Sequence, residues 1–222
     1  MKAFSAYVFD AYGTLFDVHS ATARHRDEIG PMADHLSELW RTKQLEYTWT
    51  RTLMGAHRSF RDLTAEALDF AAARCGGITT EARTKLLAAY DTLDAYPDVK
   101  PTLTKLKAAG ARVAILSNGT PGMLEQAIVS AGLEQTIDAC FSVEEVGAFK
   151  TAPAVYNLVG RRWGFSPSEV SFQSSNRWDI AGAVKFGFRS VWINRTRQPD
   201  EYSDLAPELT LYGLAELVVG QS

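Results

Sequence analysis

Residues 6–17 read AYVFDAYGTLFD. An apolar run ends on Asp10, and the Gly13-Thr14 pair behind it marks a tight turn. A short apolar run closed by a turn reads as a buried strand, and a strand this apolar has to lie inside a sheet. The texture then changes. From about residue 18 to residue 95 the chain is rich in Ala, Leu, Glu and Arg and offers no clear strand. The stretch beginning LSELWRTKQLEYTW places Leu36, Leu39, Trp40 and Tyr47 close to helical spacing. DLTAEALDFAAAR and TTEARTKLLAAYDTL also read as helices, with CGGI between them as a stop. Three to five helices are expected in this block.

YPDVKP at 96–101 punctuates the chain, and strands and helices alternate after it. ARVAILSNG, ACFSVEEVG, SEVSFQSSN and FRSVWIN hold strands; PGMLEQAIVSAGL, TAPAVYNLVGRRWG and DIAGAVKFG read as helices. Alternation with short connections predicts right-handed βαβ units and a parallel sheet covered on both faces. The first strand must join that sheet. The expected fold is therefore α/β, a Rossmann-like doubly wound parallel sheet. Its core spans 1–15 and 97–222, and an all-helical cap at 16–96 is inserted after the first strand.

In such sheets ligands bind outside the carboxyl ends of the strands. Those ends carry Asp10, then Ser117 and Asn118, then Lys150 just past a short strand, then Ser174, Ser175, Asn176 and Asp179. Two acids, a lysine and several hydroxyl and amide groups meet at one rim. The insertion leaves from the same rim and can close over it. Plainer readings of the same residues exist. Ser117 and Asn118 fit a strand-to-helix turn, Asp179 fits the N-cap of the helix beginning DIAGAVKFG, and an arginine such as Arg41 can snorkel from an amphipathic helix.

Composition narrows the function classes. The 222 residues, 46% hydrophobic, carry a net charge of −3, so neither a nucleic acid nor a membrane surface is expected as partner. Cys75 and Cys140 form no CxxC pair, as in a reduced protein. No stretch reaches the roughly 18 apolar residues of a membrane helix, and the run in MKAFSAYVFDAYG is too short for a signal peptide. The chain reads as soluble and cytoplasmic. His19, His25, His35 and His57 all fall in the helical block without a metal-ligand spacing.

FDAYGTLFD, ILSNG, the lone Lys150 and SSNRWD together resemble the haloacid dehalogenase superfamily over nearly the whole chain. DAYGTLFD, WRTKQLEYTW, LSNGTPGML and SSNRWD are similar to its L-2-haloacid dehalogenases. In the superfamily's phosphatases a second Asp, two residues after the nucleophile, protonates the leaving alcohol, and later acids help hold Mg²⁺. Here Tyr12 takes the first place, and Ser174, Ser175 and Asn176 stand in the late loop, leaving only Asp179. The resemblance implies a metal-free, cofactor-free hydrolysis of a small haloacid, because a halide leaves as an anion and needs no proton donor.

It also implies roles. Asp10 attacks C2 and forms an ester that water then hydrolyses, giving a D-2-hydroxy acid from an L-2-haloacid. Lys150 holds Asp10. Asp179 orients Lys150 and, with Asn176, positions the water. Thr14 and Ser174 support Asp10. Ser117 and the N–H groups near Asn118 bind the substrate carboxylate. Arg41 and Asn118 take the halide. Tyr12, Leu45, Phe60 and Trp178 wall the alkyl group. Arg41, Leu45 and Trp49 share one helix face. Relatives of this kind are commonly homodimers. Thr151, Gln173 and Arg177 depart from the usual pattern, and Arg177 could narrow the pocket or add an anion-binding group. The competing expectations are a Mg²⁺-dependent phosphatase of small metabolites and a catalytically silent binding protein.

Overall fold

The computed structural model describes residues 4–221; residues 1–3 and 222, which the expected core span includes, lie outside the described residues. The opening stretch forms strand β1 (Ala6–Phe9), buried along its whole length. Five helices follow before the chain returns to the sheet: α1 (Ser20–Arg24), α2 (Arg26–Ile29), α3 (Ala33–Met54), α4 (Phe60–Arg74) and α5 (Thr80–Asp91). After them come α6 (Val99–Ala108), β2 (Arg112–Ser117), α7 (Pro121–Ser130), β3 (Ala139–Ser142), α8 (Pro153–Trp163), β4 (Val170–Ser174), α9 (Arg177–Phe186), β5 (Arg189–Ile193) and β6 (Leu209–Leu211).

The six strands form one sheet in the order β3-β2-β1-β4-β5-β6, and every neighbouring pair is parallel. β1 lies inside it, with Phe9 opposite Ile115 on one side and Gln173 on the other. From β1 the chain order runs outward in one direction through β2 and β3, and in the other through β4 and β5. Asp10 follows β1 at the place where that order reverses, which is where open α/β sheets form their crevice. Helices α6 and α8 pack against β2, α7 against β3, and α9 against β4 and β5.

Local chemistry sets the helix ends. Ser59, Thr79 and Thr120 cap α4, α5 and α7 by accepting the backbone N–H of Asp62, Ala82 and Met123. Pro121 and Pro153 open α7 and α8, where no intrahelical N–H is needed. The CGGI stop ends α4, with Gly76 at φ +92° and Gly77 at φ +95°. In α3 the buried stripe is Ala33, Leu36, Ser37, Trp40, Gln44 and Thr48. Its spacing is helical, but half of it is polar, so the stripe needs hydrogen-bond partners as well as apolar ones.

Two elements lay outside the sequence reading. Helix α6 was hidden by Pro101, which sits in its first turn where a missing N–H costs nothing; Val99, Leu103 and Leu106 then face inward. Strand β6 is a three-residue, mostly exposed edge with no apolar pattern to announce it. The insertion closes on itself at its base. Asp17 N–H donates to the Asp94 carbonyl at 2.8 Å and Tyr96 N–H to the Leu15 carbonyl at 3.0 Å, with Phe16 and Ala95 in antiparallel register.

Replacing Thr79 by Ala leaves the N–H of Ala82 without its cap and is expected to cost about 1 kcal/mol. Thermal unfolding should show a midpoint lower by roughly 2–4 °C for a chain of this size. An unchanged midpoint would mean that α5 contributes nothing to the cooperative unit.

Candidate active site

Asp10 is nearly buried, and its carboxylate is held from four sides. Oδ1 accepts from Lys150 Nζ at 2.9 Å. Oδ2 accepts from Asn176 Nδ2 at 2.7 Å, Thr14 Oγ1 at 3.0 Å and Ser174 Oγ at 3.3 Å. The direction of the hydroxyl bonds is fixed by the loop around them. Thr14 Oγ1 accepts the Ser175 N–H at 2.8 Å, and Ser174 Oγ accepts the Asn176 N–H at 3.1 Å. Each hydroxyl has one proton, and in each case it is directed at Asp10. Gly13, at φ +88°, makes the turn that brings Thr14 back over β1.

Lys150 is fully enclosed, 1% exposed, between two carboxylates. Its Nζ lies 2.9 Å from Asp10 Oδ1 and 2.7 Å from Asp179 Oδ2. Burial works against the ammonium, yet the two carboxylates outweigh it and hold its pKa above the ordinary lysine value. The Asp179 carboxyl is pushed up to about 6, chiefly by burial; Lys150 pulls it down and Asp10 adds to the rise. The backbone N–H of Lys150 donates to Asn118 Oδ1 at 3.0 Å, which ties the lysine loop to the end of β2.

Tyr12 stands two residues after Asp10. Its ring is stacked on Tyr90 at 5.6 Å and tilted on Phe60 at 5.4 Å. It also lies against Gly119, where an added Cβ would come within 2.8 Å of Cε2. The phenol oxygen is buried without a hydrogen-bond partner, and burial raises its pKa well above the ordinary value. Tyr12 therefore presents an apolar ring and no carboxyl group at this place. From the insertion, Arg41 on α3 reaches the rim. Its Nη2 donates to the Tyr12 carbonyl at 3.2 Å and approaches Asn176 Oδ1 at 3.5 Å.

The polar residues expected at the rim therefore converge, with qualifications. Asn176 Nδ2 donates to Asp10 Oδ2 and to the Tyr12 carbonyl, the latter at 3.1 Å, so the amide bridges the acid and the backbone two residues after it. Asp179 is not the N-cap of its helix. α9 begins at Arg177 with Asn176 in the cap position, and Asp179 sits inside the first turn with its carboxylate accepting from Lys150. Ser117 is fully buried and accepts the Gly119 N–H at 3.1 Å. Phe60 is buried between Tyr12 and Phe149. Leu45 is half-buried one turn after Arg41. Trp178 meets Trp49 edge-on at 5.4 Å, joining α9 to α3. Arg177 turns away from the site: Nε pairs with Asp200 at 2.6 Å and Nη2 donates to the carbonyls of Tyr202 and Leu205. Gln173 is buried on β4 and donates to Ser171 Oγ.

Tyr156 and Gln44 escaped the sequence reading. Tyr156 on α8 donates to Asp179 Oδ1 at 2.8 Å, so Asp179 is held by Lys150 on one oxygen and a phenol on the other. Gly182 makes room for it, since a Cβ there would strike Tyr156 Oη and Thr151. The available signal was weak: a polar-tipped residue within the buried stripe Val155, Tyr156, Leu158, Val159. Among the described residues, no group of three or more His, Cys, Asp and Glu is placed to hold a metal ion, and no helix is long and apolar enough to cross a membrane.

Known proteins resemble the chain over nearly its whole length. The family model of haloacid dehalogenase-like hydrolases matches residues 4–187. The chain is 50% identical over 218 residues to (S)-2-haloacid dehalogenase 1 of Pseudomonas sp. (strain CBS-3), covering 98% of this chain and 96% of that one. It is 47% identical to (S)-2-haloacid dehalogenase 4A of Burkholderia cepacia, covering 96% and 92%. The solved structure of L-2-haloacid dehalogenase from Xanthobacter autotrophicus with chloropropionic acid covalently bound superposes with a TM-score of 0.89, at 34% identity and 98% coverage of both chains.

The Tyr156 hydroxyl lowers the Asp179 pKa, while burial keeps it high. Infrared difference spectroscopy should find the Asp179 carboxyl titrating near 6, and Tyr156→Phe should move that titration upward. A downward shift would show that the phenol does not donate to the charged carboxylate.

Proposed function

We propose that this chain, which belongs to the haloacid dehalogenase superfamily and within it to the L-2-haloacid dehalogenases, hydrolyses short-chain L-2-haloacids to D-2-hydroxy acids through an ester on Asp10, without a metal ion. The observation that carries this reading is the unequal dress of the Asp10 oxygens. Oδ2 is engaged by three donors, while Oδ1 faces Lys150 alone. Oδ1 keeps lone-pair density for attack. It displaces the halide at C2 in line, and the halide leaves with the bonding pair.

In the resulting ester Oδ2 is the carbonyl oxygen. Water attacks Cγ, and the charge develops on Oδ2, where Thr14, Ser174 and Asn176 already point their donors. The Cγ–Oδ1 bond then breaks. The hydroxy acid leaves with Oδ1, next to the Lys150 ammonium that can donate to it. Asp179, ionised above about pH 6, assists removal of the water's proton. One proton and one halide are released overall. C2 is inverted once, because the C2–O bond survives the second step.

The remaining assignments belong to the same proposal. Asn118 uses Oδ1 on Lys150, so its N–H₂ is the group available to a halide beside Arg41. Ser117 and the N–H groups around Asn118 take the substrate carboxylate. Tyr12, Phe60, Leu45 and Trp178 line the alkyl side. The helical insertion at 16–96 acts as the cap over a core of 1–15 and 97–222. The enzyme works in the cytoplasm as a homodimer, with no nucleic-acid partner.

Chloride release from L- and D-2-chloropropionate, measured separately with EDTA present, tests the reading. Release is expected from the L form alone and should vanish in Asp10→Asn. Mg²⁺-dependent hydrolysis of a phosphate ester instead would make the chain a phosphatase, and haloacid binding without halide release would make it a silent binder.

Activity on the L form should fall as the pH drops through about 6, because Asp179 must be charged to hold Lys150. In a single turnover in water enriched in the heavy oxygen isotope, the label should enter Asp10 and not the product. Label in the product would rule out the ester.

A further inference from the structure

Gln44 follows Arg41 by three residues on α3, so the two side chains lie on neighbouring positions of one helix face. It is fully buried. A buried amide carries two N–H donors and an acceptor oxygen, each of which needs a partner. Gln44 Oε1 accepts from Arg41 Nη1 at 2.9 Å and from Tyr90 Oη at 3.0 Å. Gln44 Nε2 donates to Thr64 Oγ1 at 2.7 Å. The Thr64 hydroxyl gives its own proton to the Phe60 carbonyl at 2.7 Å and so can only accept from Gln44.

The direction of this chain of bonds is therefore fixed. Were the amide turned over, its N–H₂ would face the Arg41 guanidinium and its oxygen would face the Thr64 lone pairs. Threonine on α4 thus dictates which face Gln44 offers, and tyrosine on α5 holds the same oxygen from the other side. Both anchoring residues are buried. Tyr90 in turn stacks on Tyr12, and Trp40 packs on Tyr90 at 5.1 Å while donating to the Thr64 carbonyl at 2.8 Å. Arg41 itself is only half-buried. A long arginine at a partly open rim has many rotamers, and one end of its guanidinium is fixed here by a rigid acceptor.

We propose that Gln44 is a positioning residue for the dehalogenation reaction: backed by Thr64 and Tyr90, it fixes the plane of the Arg41 guanidinium so that Nη2 stays at the rim over Tyr12 and Asn176, where the departing halide collects. This rests on the reading of Arg41 as the halide-accepting cation. An uncharged acceptor suits that task. A carboxylate in the same place would neutralise Arg41 and weaken its pull on an anion. A methyl group would leave the guanidinium free to swing.

The test uses the intact enzyme and separates the two chemical steps. Gln44→Met should slow single-turnover halide release from L-2-chloropropionate by about 10- to 100-fold, the size of one hydrogen bond to a charged group. Hydrolysis of the accumulated ester should be unchanged. The loss should be smaller with L-2-bromopropionate, whose leaving group needs less help. Tyr90→Phe, which keeps the ring packing and removes only the hydroxyl, should shift the same step in the same direction by less.

In an Arg41→Lys background the effect of Gln44→Met should disappear. The NMR order parameter of the Arg41 guanidinium should fall in both single variants, whether or not the substrate turns over. Equal slowing of both steps, an undiminished loss in the Arg41→Lys background, or an unchanged order parameter would make Gln44 a packing residue only and overturn the proposal. A wild-type enzyme that releases no halide, with a guanidinium that does loosen in Gln44→Met, would place the failure in the proposed reaction and leave the positioning established.

Discussion

One ammonium group between two carboxylates organises this rim. Lys150 comes from the loop after β3, Asp10 from the end of β1 and Asp179 from the first turn of α9, and all three are buried. Two carboxylates this close would repel each other in a medium of low dielectric, and one would stay protonated. The lysine removes that conflict. Taking away one member of such a set leaves a buried charge uncompensated, typically at a cost of about 3–5 kcal/mol. The arrangement thus specifies the meeting of three chain segments as well as the charge state of the acid. Tyr156 and Asn118 extend the same logic outward. The first satisfies the second oxygen of Asp179, and the second anchors the backbone of Lys150.

The helical insertion reaches the rim through a few specific contacts. Arg41 bonds to the Tyr12 carbonyl, Trp49 meets Trp178, and Glu144 accepts from His57 Nε2 at 3.1 Å and from the Phe60 N–H at 3.3 Å. Tyr12 belongs to the sheet side but buries its ring among Phe60 and Tyr90 of the insertion. The ring is thus an apolar seam between the sheet and the insertion. Gly119 is part of that seam, because no side chain fits under the ring.

Much of the parallel sheet could be read from the sequence because a parallel sheet buries its strands on both faces. AYVF, RVAILS and VSFQS therefore stand out as short runs closed by turn residues. The polar rim was readable for a related reason: its residues sit at the strand ends, where position along the chain fixes position in space. Tyr156, Gln44, Tyr90 and Thr64 were not readable, since each acts from a helix and only the packing of helices brings its polar tip to a partner. Periodicity marks such residues as core and is silent about the hydroxyl or amide they carry. Arg177 shows the converse. Its place in the sequence put a cation beside Asn176, but Asp200 and two carbonyls far along the chain claim it.

The base of the insertion has a further meaning. The outgoing chain at Leu15–Asp17 and the returning chain at Asp94–Tyr96 are hydrogen-bonded side by side. Between them about eighty residues leave and come back through a gap the width of one strand pair, and the entropy of closing such an excursion grows only with the logarithm of its length. The sheet below therefore registers little of what the excursion contains. By this arithmetic the length of the helical part can change at little entropic cost to the sheet that holds the acid and the lysine. What the insertion does bring to the rim is Arg41, so a change in the helical part alters the surroundings of Asp10 before it alters Asp10 itself.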